Sequence, residues 1–272
     1  MASSSSSPYD REHQANAVVD GNDHVSEDLL LPGFLAALQW TDTAFPSGMY
    51  TLSHGLEGLS HYDWLDRASL SQTVHELITE VVSPTDGIAA ALSWDWAHSL
   101  DKTFPRLSLA TPEEFESLRT IDELLLATKP SENARRGSVR VGKQLLSMAS
   151  DVVAPEGNSA LGVVCGLMRR GELVGNQAVV AGVIHHHHGM SQTMAVACEL
   201  FSLAAGVCSA AVRLRVADHI SSQEVLCEVR PDIIACARRC CSSSLDDIGT
   251  LSPALDVASA AHETAPARLF IN

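Results

Sequence analysis

Apolar residues along this chain recur mainly every three or four positions, the spacing of one face of an α-helix. Two stretches show the pattern clearly: Leu70, Val74, Leu77 and Val81 in the first, and Val196, Leu200, Leu203 and Val207 in the second. No alternating apolar and polar run of strand length is present. The pattern predicts an all-α protein, a helical bundle of about ten helices in a single domain.

Prolines and capping residues mark the expected helix boundaries. Thr111–Glu114 combines an N-cap hydroxyl, a proline at the first helical position and a capping-box carboxylate, so a helix should start there. Ser221–Glu224 repeats the capping-box pattern and predicts a helix that runs to about Arg239. Ser83-Pro84 is expected to end the helix that begins near residue 70.

Composition along the chain predicts three parts. Residues 1–25 are polar and poor in apolar side chains, which is typical of a disordered segment. Residues 26–254 carry the helical pattern and form the expected domain, with a loop over 152–158. Residues 255–272 form a tail with a short helix-capable piece, expected to be loose until a partner binds it.

The totals narrow the class of protein. The chain has 272 residues, 46% hydrophobic and 5% aromatic, which favours helices packed through small side chains. A formal net charge of −15 argues against a nucleic-acid partner. An odd count of seven cysteines, no Cys-x-x-Cys pair, no secretory signal and no run of about 18 apolar residues predict a cytoplasmic protein without a membrane span.

Phe45–Glu57 is the most informative stretch. It places Pro46, Gly48 and Gly55 around Tyr50 and several small polar residues. Proline rules out a helix interior and Gly48 permits a turn with positive φ, so a rigid turn should lead into a helix from about Tyr50. Such a turn positions side chains accurately and is a good place for a binding surface.

Gly137–Gln144 nearly matches a nucleotide-binding P-loop. Gln144 stands where the motif needs the hydroxyl that holds Mg²⁺, and the preceding residues 132–136 are polar and not a buried strand. A helix whose glycines allow close packing is therefore the favoured interpretation. A helical NTPase stays open as an alternative.

His185–His188 is a conspicuous run of four imidazoles, a ligand type that suits nickel, zinc and copper. Adjacent residues on a helix point to different sides, and no acidic or cysteine partner is fixed nearby by spacing. A polar helix end is favoured, so no metal site is assigned. Metal storage or sensing through these histidines is kept as the alternative.

Catalytic patterns are missing from the sequence. His75-Glu76 lacks the spacing of a zinc protease motif, and there is no Gly-x-Ser-x-Gly elbow. Cys236 and Cys240 lie four apart, a spacing expected to serve core packing. Glu57 has no obvious acid–base mate and is expected to cap a helix or form a salt bridge, with an interface role as the rival. The sequence indicates a binding protein with no catalytic residues.

Two motifs carry a resemblance to a known family. Pro46–Glu57 resembles the signature of the urease accessory protein F (UreF) family, and His262-Glu263 followed by Arg268-Leu269-Phe270 looks like its closing pattern. Residues 132–146 are similar to the family's arginine-rich helix, and residues 176–226 to its later helices, including a run at 210–214. The likeness covers about residues 30–272 in the expected order.

The resemblance implies a homodimeric adaptor that binds the scaffold UreD (also called UreH) and the GTPase UreG. This assembly would deliver nickel into apo-urease, so nickel and GTP would be handled by partners and the chain would need no cofactor of its own. Modulation of the GTPase is a further implied role. The implied partner-binding residues are Pro46, Gly48, Tyr50, Ser53, His54, Glu57, His262, Arg268, Leu269 and Phe270, with Tyr50, Ser53 and His54 at the rim of the partner surface.

Overall fold

The computed structural model describes residues 23–103, 112–263 and 269–270. These residues contain helices and connecting turns but no β-strand, which confirms the all-α prediction. The α-helices in chain order are α1 Asp23–Trp40, α2 Leu56–His61, α3 Leu70–Glu76, α4 Ile88–Thr103, α5 Pro112–Thr128, α6 Glu132–Val153, α7 Ala160–Arg169, α8 Gln177–His187, α9 Gln192–Arg213, α10 His219–Glu228, α11 Arg230–Cys240 and α12 Pro253–Glu263.

Helix α8 lies at the centre of the bundle. Each of its residues from Ala178 to His185 is buried, and α4, α6 and α9 pack around it. A helix that is apolar on all sides can be stable only inside a core, which explains this position. Serine caps hold the neighbouring helices in place: the Ser131, Ser159 and Ser191 hydroxyls accept backbone N–H groups at the starts of α6, α7 and α9.

Helix α9 is the longest apolar element. Of the described residues, it alone is long and apolar enough to cross a membrane by length and composition, but 61% of its apolar window is buried inside the protein. Three of its alanines, Ala195, Ala204 and Ala211, are fully buried. In this structure α9 is therefore a core helix.

The expected helix end at Ser83-Pro84 is wrong. Residues Leu77–Gly87 form a π-helical segment that contains Pro84 and continues directly into α4. The N–H of Ile88 bonds to the carbonyl of Ser83, five residues earlier, so this wider turn accommodates a residue that has no N–H to donate. The Pro84 carbonyl accepts the N–H of Gly249 at 3.1 Å.

The single helix expected from Ser221 to about Arg239 is also incorrect. Asp218 is the N-cap, and its carboxylate and the Ser221 hydroxyl form the capping box that starts α10. The helix stops at Val229, and Pro231 near the start of α11 allows a new helix to begin without a lost hydrogen bond. Cys236 and Cys240 are buried in α11, in agreement with the core-packing interpretation.

The P-loop-like segment lies in the interior of α6 and is not a loop. A methyl group on Gly142 would lie 2.1 Å from the Gly175 carbonyl oxygen, and one on Gly137 would lie 3.3 Å from the Leu52 side chain. The glycines therefore let α6 approach α8 and the loop before α2. This confirms close packing, and the NTPase alternative receives no support because no phosphate-binding loop forms here.

The ends of the predicted parts shift slightly. Helix α1 begins at Asp23, three residues before the expected domain start, and residues 1–22 lie outside the described residues. Helix α6 extends to Val153, so the loop before α7 is shorter than predicted. Helix α12 begins at residue 253 and packs on α2, so this part of the tail is ordered against its own chain.

Candidate functional site

Two left-handed glycines shape the loop between α1 and α2. Gly48 has φ +85° and starts a short 3₁₀ turn over Met49–Thr51, and Gly55 has φ +89° and precedes α2. The Thr51 hydroxyl donates to the Gly48 carbonyl at 2.7 Å and secures the first turn. The positive φ expected for Gly48 is confirmed, but the helix begins at Leu56, later than predicted, because Gly55 interposes a second turn.

Helix α12 packs on α2 at very short range. A methyl group on Gly58 would lie 2.2 Å from the Ala258 carbonyl oxygen, and one on Gly55 would lie 2.3 Å from Leu255. Only glycine permits this approach, since the contacting atoms at Gly58 belong to backbone. The glycines in and beside the Pro46–Glu57 stretch are therefore needed for the packing of α12, a helix about 200 residues further along the chain.

Glu57 joins α2, α12 and the tail. Its side chain is 3% exposed, and Oε2 lies 2.7 Å from Nε2 of His262. The backbone N–H of Leu269 donates to Oε1 at 2.6 Å, and the N–H of Phe270 donates to Oε2 at 3.0 Å. We call this arrangement of Glu57, His262, Leu269 and Phe270 the tail clasp.

The hydrogen bonds of the tail clasp change the pKa of Glu57. Burial alone raises the pKa of Glu57, but the hydrogen bonds from Leu269, His262 and Phe270 together lower it below the usual 4.5. Glu57 is therefore ionised at neutral pH. The short contact with His262 agrees with the expected salt-bridge interpretation for Glu57, while its interface role stays a prediction.

Arg213 at the end of α9 is held between two aromatic rings. Its guanidinium carbon lies 4.0 Å from the Tyr50 ring centre and 4.2 Å from the Phe270 ring centre. The N–H at Nε donates to the Ser209 carbonyl at 3.3 Å. Cation–π contacts of Arg213 with both rings link the first motif to the tail.

The predicted rim residues occupy different depths. Tyr50 is 54% exposed and Leu269 is 62% exposed, so both are available to a partner. Ser53 is 1% exposed and does not lie at the rim as expected. His54 is half-buried, and its Nε2 atom is buried without a hydrogen-bond partner among the described residues. Burial lowers the pKa of His54 to about 4.

The other predicted partner-binding residues also differ in their exposure to solvent. Pro46 is exposed on the loop, whereas Phe270 is 3% exposed and packs on its own chain rather than projecting toward a partner. Arg268 lies outside the described residues. Sequence reasoning missed Arg213 as a site residue, because its aromatic partners are more than 50 positions away and no spacing reveals them.

A cavity of about 130 Å³ lies beneath α12. His54, Asp86, Lys129 and Gln177 are among its lining residues, and the Lys129 ammonium nitrogen is 2.6 Å from both carboxylate oxygens of Asp86. Next to it, burial and the Asp86 charge raise the pKa of Glu199 to about 8. The cavity therefore contains the Asp86–Lys129 ion pair and His54, whose lowered pKa keeps it neutral at neutral pH.

The four consecutive histidines point into separate surroundings. His185 is buried, with a pKa lowered to about 4 mainly by desolvation, while the ring centre of His188 lies 5.4 Å from that of Trp40. His186 Nε2 lies 3.4 Å from His98 Nδ1 on α4. Within the described part of the chain, no group of three or more His, Cys, Asp or Glu residues is placed to hold a metal ion.

The fold and the site define an all-α protein whose most organised feature is a surface assembled from two distant parts of the chain. A protein-family model described as UreF matches residues 64–230. The chain is 23% identical to the urease accessory protein UreF of Bacillus sp. (strain TB-90) over 239 residues, covering 88% of this chain and 98% of that protein. It is 29% identical over 238 residues to that of Roseobacter denitrificans, covering 87% of this chain and 93% of the relative.

The relative from Trichodesmium erythraeum, also named urease accessory protein UreF, is 26% identical over 239 residues, which are 88% of this chain and 96% of its own. The chain belongs to the UreF family of urease accessory proteins. The family model ends at residue 230, but the alignments with full-length relatives span most of the chain.

Proposed function

We propose that this protein is a cytoplasmic adaptor in urease maturation that bridges the scaffold UreD (UreH) and the GTPase UreG during nickel insertion into apo-urease. It performs no catalysis itself. Nickel and GTP are handled by the partners, and the adaptor modulates GTP hydrolysis by UreG. Family membership and the tail clasp support this proposal. The clasp supports it because it holds Leu269 and Phe270 in place, and Phe270 contacts the same arginine, Arg213, as the exposed Tyr50.

The clasp suits recruitment for an energetic reason. Binding is stronger when a segment is ordered beforehand, since the partner then does not have to offset the entropy of ordering it. Leu269 projects an apolar side chain from a backbone already held by Glu57. A large aromatic and an arginine close to such a side chain are the residue types that dominate binding energy at interfaces.

Removal of residues 268–272 should abolish the complex with UreD while the helical domain stays folded. The deletion takes away Leu269 and both amide donors to Glu57, and we expect a loss of about 100-fold in affinity, or ~3 kcal/mol. Co-purification of the chain with UreD and UreG from the same source measures the effect. Circular dichroism checks that the helices remain.

A shorter deletion of residues 271–272 is the matched control, since it leaves the clasp intact. It should retain the complex. Survival of the complex in the longer deletion would contradict this role of the tail. Failure of the unmodified chain to bind either partner would contradict the adaptor function itself.

The homodimer is proposed through α1. Four apolar residues at helical spacing lie on its exposed face, each about half exposed: Leu31, Phe34, Leu35 and Leu38. A contiguous apolar stripe on an otherwise acidic protein is typical of an interface. The alternative seam near residues 195–211 is disfavoured because most of those residues are buried in the core.

Leu35→Glu combined with Leu38→Glu should convert the dimer to a monomer without unfolding it, because two charges cannot be buried unpaired in a seam. Light scattering coupled to size exclusion gives the mass directly. Val152→Glu, on an equally exposed valine in α6, is the control and should leave the dimer unchanged. A double variant that remains dimeric would place the seam elsewhere.

A further inference from the structure

Helix α6 carries a strongly basic face on an acidic protein. Arg135, Arg136, Arg140 and Lys143 line a surface groove of about 710 Å³. These are four of the chain's 18 lysines and arginines, within nine residues of a chain whose formal net charge is −15. We call this surface the basic groove.

The positive charge of the basic groove is only partly neutralised. Arg136 pairs with Glu132 at 2.5 Å, but both side chains are mostly exposed, with 76% and 58% accessibility. Arg140 and Lys143 are exposed and pair with no carboxylate among the described residues. Like charges one turn apart on a helix repel each other, so the arrangement does not stabilise α6.

Apolar side chains line the same groove as the charges. Leu126 of α5 and Val139 of α6 are half-buried and form part of the groove wall. The groove therefore combines positively charged and apolar side chains. It is complementary to a peptide segment that has carboxylates on either side of an apolar residue. A nucleic acid fits less well, because the rest of this acidic chain repels a long polyanion.

The basic groove is continuous with the loop that carries Tyr50. The Arg140 guanidinium donates to the Thr51 hydroxyl at 2.9 Å, and Gly137 packs on Leu52. Thr51 and Leu52 lie directly after Tyr50 in the same 3₁₀ turn and its cap. One partner that covers Tyr50 would therefore also reach the arginines of α6.

We infer that the basic groove binds an acidic segment of a protein partner, with an apolar side chain seated between Leu126 and Val139. Carboxylates of that segment pair with Arg136, Arg140 and Lys143. The inference rests on the proposed adaptor function for the choice of partner, UreD or UreG. Charge complementarity of this kind speeds association and fixes the register of a complex.

The test reverses the charge of the groove. Arg136→Glu combined with Arg140→Glu is compared with Arg230→Glu combined with Arg238→Glu, two exposed arginines on α11. Both pairs change the net charge equally, so only the groove variant should lose partner recovery, by roughly tenfold at low ionic strength. The advantage of the unmodified chain should shrink as salt is raised. Equal recovery with both variants overturns the inference.

A second measurement separates this inference from the adaptor proposal. If the unmodified chain captures neither UreD nor UreG, the proposed function fails, and a labelled helical peptide with glutamates on both sides of a leucine becomes the probe. Weaker peptide binding by the groove variant than by the α11 variant supports the inference. Equal binding, or binding of inorganic tripolyphosphate but not of the peptide, overturns it.

Discussion

Glu57→Ala should release the tail from α2 and weaken partner binding about as much as deletion of the tail. The carboxylate accepts two backbone N–H groups and faces His262, all in a nearly water-free site. Removing one member of a buried charged network leaves the others without partners, which costs about 3 kcal/mol. The open form of the clasp should therefore become roughly 100 times more populated.

Hydrogen exchange at the amides of Leu269 and Phe270 measures this directly. Both amides should lose protection in the variant, while the amides of α8 keep theirs. Glu123→Ala, on an exposed glutamate of α5, is the control and should leave the tail amides protected. Unchanged protection in Glu57→Ala would show that the carboxylate does not hold the tail.

The same clasp should depend on pH with a defined sign. The pKa of Glu57 is lower in the closed form than its usual 4.5, so the open form binds more protons at mildly acidic pH. The Glu57 carboxylate therefore stabilises the closed form fully at pH values above its usual pKa. This stabilisation is lost as the pH falls through the lowered pKa of the closed form. Glu57→Gln should remove this dependence, and a variant that kept it would assign the transition to another group.

Asp122→Ala should destabilise the whole domain. The carboxylate of Asp122, which is fully buried in α5, accepts the Gly175 N–H at 2.7 Å and the Asn176 N–H at 2.9 Å. The Asn176 side-chain amide donates to it as well, at 2.7 Å. Asp122 thereby supplies the N-terminal cap of the central helix α8, whose own N-cap side chain makes no capping bond.

The expected loss is about 4 kcal/mol in the free energy of unfolding, since three buried donors lose their acceptor. That is a large part of the roughly 5–15 kcal/mol that stabilises a typical domain. Urea denaturation gives the value. Asp151→Ala, an exposed aspartate in α6, should change it little. A loss below about 1 kcal/mol for Asp122→Ala would mean that water replaces the missing acceptor.

Helix type and approximate position could be predicted because burial follows helical spacing. Leu70, Val74 and Leu77 were expected on one face, and all three are buried. Predictions from local sequence signals, such as proline as a helix end, were wrong where the backbone departs from regular α-helical geometry. The π-helical turn absorbs Pro84, and no residue pattern in the sequence shows that the turn widens there.

The sequence was sufficient to locate separate parts of the site, but it did not predict the contacts between them. The motif at Pro46–Glu57 and the tail are both visible in the sequence, yet 205 residues separate Glu57 from His262. The same holds for Asp122 and Gly175, which are 53 positions apart. Contacts at such separations are decided by how the whole bundle packs, which helical spacing does not encode.

The order in which ribosomes make the chain gives the tail clasp a further consequence. The amide donors to Glu57 lie 212 and 213 positions after it. At translation rates of roughly 5–20 residues per second, this carboxylate waits about 10–40 seconds for its partners. A nascent or truncated chain that ends before residue 269 can fold its early helices but does not present the complete surface. Under the proposed adaptor function, an unfinished copy that lacks the tail clasp should therefore recruit the partner proteins poorly.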